Sequence, residues 1–118
     1  MLVSLENFSE TSALKFSSRI SWRPRILAKE KQSYIKESNQ EEARWQKMKD
    51  DGKDEHDVRK QHEVFQESAN MISDSNRRLK QAYAELEQLL EKEADLAETE
   101  EFQAAKTVLD EAKVVIGN

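Results

Sequence analysis

The sequence contains very few of the residues that form turns and end helices, and none that could cross-link the chain. Its 118 residues include two glycines, one proline and no cysteine. Without cysteine, disulfides and thiolate metal sites are excluded. Because strands need turns between them, so little glycine and proline argues against a sheet. No run of about eighteen apolar residues occurs, so the sequence predicts no membrane span.

Groups that carry catalysis or hold metals are also scarce. The two histidines, His56 and His62, are six apart and would not share a helix face, which argues against a metal site. Three clustered carboxylates, at Glu98, Glu100 and Glu101, are explained by the acidic first turn of a helix. Two glycines cannot build a phosphate-binding loop, and the acidic stretch in mid-chain fails calcium-loop spacing. We therefore expect no enzyme, no catalytic residue, no metal and no cofactor.

Charge is what the chain has in abundance. Charged residues make up 36 % of it, and the formal net charge is −5. An acidic balance argues against general binding to nucleic acid or to anionic membranes. The first ten residues carry Glu6 where a signal peptide would be apolar, so we expect a cytoplasmic protein. Serines and arginines in the first 25 residues leave an organelle transit peptide open as an alternative.

One long heptad-like stripe dominates the middle of the chain. Residues spaced alternately by four and three are mostly apolar or aromatic: Val58, His62, Phe65, Ala69, Ile72, Asn76, Leu79, Tyr83, Leu86 and Leu90. No glycine or proline interrupts residues 53–116. This spacing predicts a continuous helix about 50 Å long with one face buried. Asn76 is either a polar device that fixes helix register or a point of partner recognition.

Three predicted helices cover about residues 25–49, 54–93 and 99–116. Pro24 suits the first turn of helix one, Gly52 a left-handed cap at its end, and Asp54 the N-cap of helix two. Short connections make neighbouring helices antiparallel. The predicted fold is all-α, an up-down-up three-helix bundle with long coiled-coil-like helices. Residues 1–24 are expected to be a variable leader, either without stable structure or folded separately.

Two apolar residues depart from the stripe. With Val58 taken as heptad position d, Val64 and Met71 lie at position c, well round from the a/d seam. The small Ser68 and Ser75, at position g, lie between them and the seam. Either helix three covers this flank, or the flank is an exposed docking strip. The pattern does not decide between the two.

Short motifs in residues 60–113 follow one another in a recognisable order and spacing: Gln66-Glu67-Ser68, Met71-Ile72, Asp74, Arg77-Arg78-Leu79, Ala82-Tyr83, Leu86, Leu89-Leu90-Glu91, Asp95-Leu96 and Glu100-Glu101-Phe102. Residues 27–37 and the Asp51-Gly52 turn fit the same pattern. In these features the chain resembles the tubulin-folding cofactor A family, also called tubulin-specific chaperone A. The similarity covers roughly residues 25–113. The leader matches poorly, and Ser73 stands where the family usually has proline, so helix two is expected to be straighter.

The resemblance implies a function that periodicity alone could not name. Members of that family bind β-tubulin after its release from the cytosolic chaperonin and pass it to other tubulin-folding cofactors, using no nucleotide. The resemblance thus implies a cytoplasmic, cytoskeleton-associated chaperone that acts in the assembly of the tubulin heterodimer. The seam, if it is packed within one chain, predicts a monomer. The alternative is a generic coiled-coil adaptor or scaffold in trafficking or cytoskeletal assembly, which would expose its seam to another chain.

The predicted partner-binding residues lie on the flank of helix two, where the resemblance is dense. They combine the off-seam apolar residue with charges that have no role in the core: Glu67, Met71, Asp74, Arg77 and Arg78. The competing interpretation is that helix three covers Met71 and that the charges only keep the surface solvated.

Overall fold

The computed structural model describes residues 19–117, with side chains from Ser21 onward. It contains three long helices, α1 (Arg19–Asp50), α2 (Glu55–Lys92) and α3 (Glu100–Gly117), with a short 3-10 helix at Ala94–Leu96. Over these residues the chain forms no strand, and the prediction of an all-α, three-helix fold is confirmed. The rest of the predicted leader, residues 1–18, lies outside the described residues.

The start of α1 differs from the prediction. Residues 19–23 are already helical, so Pro24 lies inside α1 and not in its first turn. A proline inside a helix lacks a donor and costs about 3 kcal/mol. Pro24 is nevertheless among the most deeply buried side chains, in a face with Ser21, Leu27 and Lys31 that packs on the other helices. The burial of that face offsets the backbone cost of the proline. A rule based only on the local sequence does not include this burial.

The turn between α1 and α2 is set by Gly52. Its φ is 69°, as the predicted left-handed cap requires. The Lys53 N–H donates to the Met48 carbonyl at 3.0 Å and the Gly52 N–H donates to the Lys49 carbonyl at 3.1 Å, which is the Schellman pattern. Asp54 does occupy the N-cap position of α2, but its side chain makes no capping hydrogen bond there. The glycine therefore closes the hairpin without help from that aspartate.

α2 is one uninterrupted helix of 38 residues that passes through Ser73. The most continuously buried row of α2 is the one at heptad position g. Its buried residues are Gln61, Ser68, Ser75 and Ala82. From Leu79 onward the predicted stripe is buried except at the partly buried Tyr83, whereas its earlier members are all half-buried. The face of α2 toward α1 is therefore rotated from the apolar stripe toward a row of mostly small and polar residues.

α3 covers only part of the hairpin. It has 18 residues, against 38 in α2, which is about 27 Å against about 57 Å of helix. The two buried apolar clusters combine its side chains with the first turns of α1 and the last turns of α2: Leu27, Ala28, Leu79, Ala82, Leu86, Leu90, Phe102, Ala105, Val108, Leu109, Ala112 and Val115. We call residues 21–31 with 76–117 the three-helix half, and residues 32–75 the two-helix half.

Lys31 joins the three helices where the two halves meet. The residue is 2 % exposed. Its ammonium donates to Asn76 Oδ1 at 2.8 Å and to the Val115 carbonyl at 2.6 Å. Because that carbonyl belongs to the last turn of α3, the cation satisfies a helix end that has no partner within the helix. Burial, with the charge of Lys80, lowers the pKa of Lys31. Asn76 thus makes a polar contact within the fold, between α1 and α2.

Candidate partner-binding surface

The flank of α2 at Val64 and Met71 is exposed. The two residues are 42 % and 40 % accessible, and with Glu67, Ser68 and, from α1, Glu37 they line an open groove. α3 packs farther along the hairpin and does not lie on them. Of the two alternatives for this flank, the structure therefore has the exposed strip and not the covered one.

The groove exists because small residues let the helices approach closely. Ser68 is buried against α1, and its hydroxyl donates to the Phe65 carbonyl within its own helix at 2.6 Å. A larger side chain there would separate the helices or fill the groove. Val64 and Met71 are seven residues apart, so they lie on one line about 10.5 Å long. The result is a shallow apolar strip on a pair of rigid helices.

Three of the charged residues predicted for this site, Asp74, Arg77 and Arg78, lie one to two turns farther along α2. Asp74 and Arg77 form an ion pair at 2.9 Å on the open surface. Arg78 points toward α1, where its Nη2 lies 3.8 Å from Glu30 Oε1. The Tyr34 hydroxyl donates to the same Glu30 oxygen at 3.1 Å. Of the five predicted residues, Glu67 and Met71 line the groove, and the other three form ion pairs beside it.

α1 contributes residues to this surface that the apolar pattern of the sequence does not indicate. Glu30, Tyr34 and Glu37 recur at spacings of four and three and so share one helix face. That spacing was available in the sequence. A search for apolar periodicity passes over it, because two of the three residues in this row are charged.

A second surface feature is an aromatic cluster in the two-helix half. The ring centroids of Trp45 and His62 are 4.4 Å apart, and those of Trp45 and Phe65 are 6.0 Å apart. The Lys49 ammonium lies 3.7 Å from the centroid of Trp45. His62 therefore packs in the seam as expected. Over residues 19–117, no group of three histidine, cysteine or acidic residues is placed to hold a metal.

A third feature is a groove between α1 and α3. Ile26 and Val114 are 64 % and 68 % exposed beside it. Arg25 crosses it to Glu111 at 3.1 Å, which occupies both charges. The groove at Val64 and Met71 is therefore the better-defined candidate.

The chemistry available at the candidate surface is that of binding. Apolar, carboxylate and guanidinium groups line it, and a shallow groove does not enclose a small molecule as ligand pockets do. Within residues 19–117, no helix is both long and apolar enough to cross a membrane.

Comparisons with known proteins agree with this architecture. The family model described as "Tubulin binding cofactor A" matches residues 11–109. Human tubulin-specific chaperone A is 46 % identical over 88 residues, which are 75 % of this chain and 82 % of that protein. The structure of human tubulin chaperone cofactor A matches with a TM-score of 0.75 at 39 % identity, covering 86 % of this chain and 98 % of that one. The crystal structure of tubulin folding cofactor A from Arabidopsis thaliana matches with a TM-score of 0.77 at 31 % identity, covering 89 % and 98 %.

Proposed function

This chain belongs to the tubulin binding cofactor A family, and on that premise we propose that it is a tubulin-folding chaperone that binds β-tubulin. In this proposal it captures β-tubulin after its release from the chaperonin. It then passes β-tubulin toward other tubulin-folding cofactors and heterodimer assembly in the cytoplasm. The names of its relatives, which are tubulin-specific chaperones, support the tubulin part of the proposal.

One observation supports binding through the side of the hairpin. An exposed apolar strip at Val64 and Met71 lies beside charged groups on two rigid helices. Exposed apolar strips rimmed by polar residues are typical of protein–protein contacts. The protein would therefore act by presenting a surface, as a chaperone does, and not by catalysis. The proposed contact residues are those of the α2 flank: Glu67, Met71, Asp74, Arg77 and Arg78.

Charge reversal on that flank tests the proposal. We expect the double variant Arg77→Glu/Arg78→Glu to weaken β-tubulin capture on the order of tenfold, because charges at an interface set specificity and encounter rate. Helicity and melting temperature should change little, since exposed ion pairs contribute little to stability. Binding is measured by titrating labelled protein with purified β-tubulin.

A matched control carries the same change of charge elsewhere. Arg59→Glu/Lys106→Glu alters two exposed residues that do not line the groove, and it should bind β-tubulin like the parent. Full binding by a folded Arg77→Glu/Arg78→Glu variant would reject this surface and direct attention to other faces of α1 and α3.

The competing function is a coiled-coil adaptor that offers its seam to another chain. Against it, the seam from Leu79 to Leu90 is buried by α3 of the same chain, which favours a monomer. Sedimentation equilibrium tests this point, with a monomer as the expected result. A stable dimer in which α1 and α2 join into one helix past Gly52 would favour the adaptor instead.

A further inference from the structure

We propose that the groove between Glu37 and Met71 accepts a cationic amphipathic segment of the partner, one whose apolar side chains contact Val64 and Met71 and whose lysines or arginines pair with Glu37 and Glu67. The inference rests on the proposed function, in which that segment belongs to β-tubulin. It specifies the chemistry of the partner segment, which family membership does not.

The two carboxylates at the groove differ from the acids beside it. Glu30 and Asp74, just beyond the groove, are paired with Arg78 and Arg77. Glu37 and Glu67 are exposed and line the groove from opposite helices. Among the described residues neither has an ion-pair or hydrogen-bond partner.

The free charge at the groove is therefore negative. Arg77 and Arg78, beyond the groove along α2, already have carboxylate partners within the protein, so the unpaired charges at the groove itself are the two carboxylates. One turn from Glu37, the half-buried Glu41 adds a further carboxylate, whose Oε2 accepts from Gln61 Nε2 at 2.6 Å. A lysine or arginine arriving at Glu37 and Glu67 breaks no existing pair, and complementary charge speeds encounter and suppresses wrong partners.

The apolar residues of the groove indicate that the partner segment also carries apolar side chains. Val64 and Met71 lie about 10.5 Å apart along α2, which matches apolar side chains two helical turns apart on a bound helix. Methionine adapts its flexible thioether to irregular surfaces, so Met71 suits a contact of this kind. The occupant thus needs apolar residues on one face and cationic residues beside them.

The first experiment removes the charges without changing shape. Glu37→Gln/Glu67→Gln should bind β-tubulin about tenfold more weakly than the parent, and its affinity should respond less to salt. The control Glu42→Gln/Glu63→Gln makes the same charge change on the same two helices at exposed positions outside the groove. It should retain the affinity and salt response of the parent. Equal binding by both variants would overturn the inference while leaving the proposed function intact.

The second experiment examines the groove without tubulin. Two synthetic helical peptides serve as probes, one of leucine and lysine and one of leucine and glutamate with the same leucine pattern. Methyl resonances of Val64 and Met71 should shift with the lysine peptide, should shift much less with the glutamate peptide, and should stop shifting in Glu37→Gln/Glu67→Gln. Equal shifts with both peptides, or none with either, would overturn the inference even if the protein binds tubulin.

A photocross-linker links the two experiments. With p-benzoylphenylalanine in place of Met71, cross-linked β-tubulin peptides should contain lysine or arginine beside apolar residues. Cross-links confined to acidic segments would overturn the assigned chemistry. If the parent protein itself fails to bind β-tubulin, the proposed function fails, and the peptide titration still decides whether the groove selects cationic segments.

Discussion

The two halves of the hairpin use the same heptad repeat and bury it differently. In the three-helix half, Leu79 and Leu86 at position d are fully buried. In the two-helix half, Phe65 and Ile72 occupy the same position and are only half-buried. The difference is the presence of α3, which packs on Leu79 and Leu86. A repeat thus defines a face, and the number of helices that pack on that face decides how much of it is buried.

Position g differs between the halves in the kind of side chain it carries. In the three-helix half it holds the apolar Ala82 and Leu89, which pack in the buried clusters, whereas in the two-helix half it holds Gln61, Ser68 and Ser75. Gln61 donates to the Glu41 backbone carbonyl at 3.1 Å, so the contact between two helices is partly polar. The three-helix half is therefore held by apolar packing. The two-helix half has buried small and polar residues, an aromatic cluster and an exposed flank.

The largest expected effect is the loss of stability when a buried leucine is truncated, and it should differ between the two halves. Leu79→Ala should destabilise the fold by about 2–5 kcal/mol, because it removes methyl groups from a fully enclosed site. Ile72→Ala, one heptad earlier, should cost roughly half as much or less, since water already reaches that side chain. Chemical denaturation of both variants measures the difference. Equal losses would show that the two halves are equally well packed.

A proline substitution examines the backbone in the two-helix half. Ser73→Pro should cost on the order of 3 kcal/mol, because it removes an intrahelical hydrogen bond and crowds the preceding turn. Ser73→Ala, which alters an exposed side chain and no backbone donor, is the control and should melt like the parent. A proline variant as stable as the parent would mean that the backbone of α2 already accommodates a kink at residue 73.

The pH dependence of stability tests the junction at Lys31. Lys31→Met leaves the Asn76 and Val115 oxygens without their donor and should cost about 1–3 kcal/mol near pH 7. Because folding lowers the Lys31 pKa below its value of 10.5, the unfolded chain binds more protons there at alkaline pH. The parent should therefore gain stability relative to the variant as pH rises through the folded pKa toward about 10.5. Denaturation curves from pH 7 to about 10 measure this trend, and a constant difference would contradict it.

The smallest expected effect concerns one hydroxyl. The Ser75 side chain is fully buried, and its Oγ has no hydrogen-bond partner among the described residues. Ser75→Ala should therefore stabilise the fold by up to about 1 kcal/mol, because an unsatisfied polar group is removed from the interior. Ser68→Ala is the comparison and should stabilise less, since the Ser68 hydroxyl has a partner. A loss of stability on Ser75→Ala would point to an ordered partner for that hydroxyl.

Much of the fold was accessible from the sequence, and the reason is physical. Long uninterrupted periodicity, with Gly52 in the turn, predicts the helices and their order, because backbone hydrogen bonding and the burial of one face act locally along each helix. The exposed flank at Val64 and Met71 was found as one of two alternatives. The choice between them required the position of α3, which depends on packing among all three helices.

What the sequence did not reveal is mostly polar and buried. Lys31 lies in the most buried row of α1, with Pro24 and Ser38, but a search for apolar periodicity passes over such residues. Its burial is tolerated because Asn76 and the end of α3 supply acceptors, and those partners are distant in sequence. Glu37 was missed for the same reason, since it becomes part of a groove only when α2 lies beside it.

The contact among Lys31, Asn76 and Val115 has a consequence for how such chains can change in length. It fixes the three helices at one cross-section, so an insertion in α3 or in the three-helix half would misalign the buried clusters. Between this cross-section and Gly52, by contrast, α1 and α2 need to match only each other. Seven residues added to α1 and seven added to α2 would restore every facing pair. The length of the two-helix half can therefore change in evolution by equal heptad insertions in α1 and α2, while the three-helix half stays unchanged.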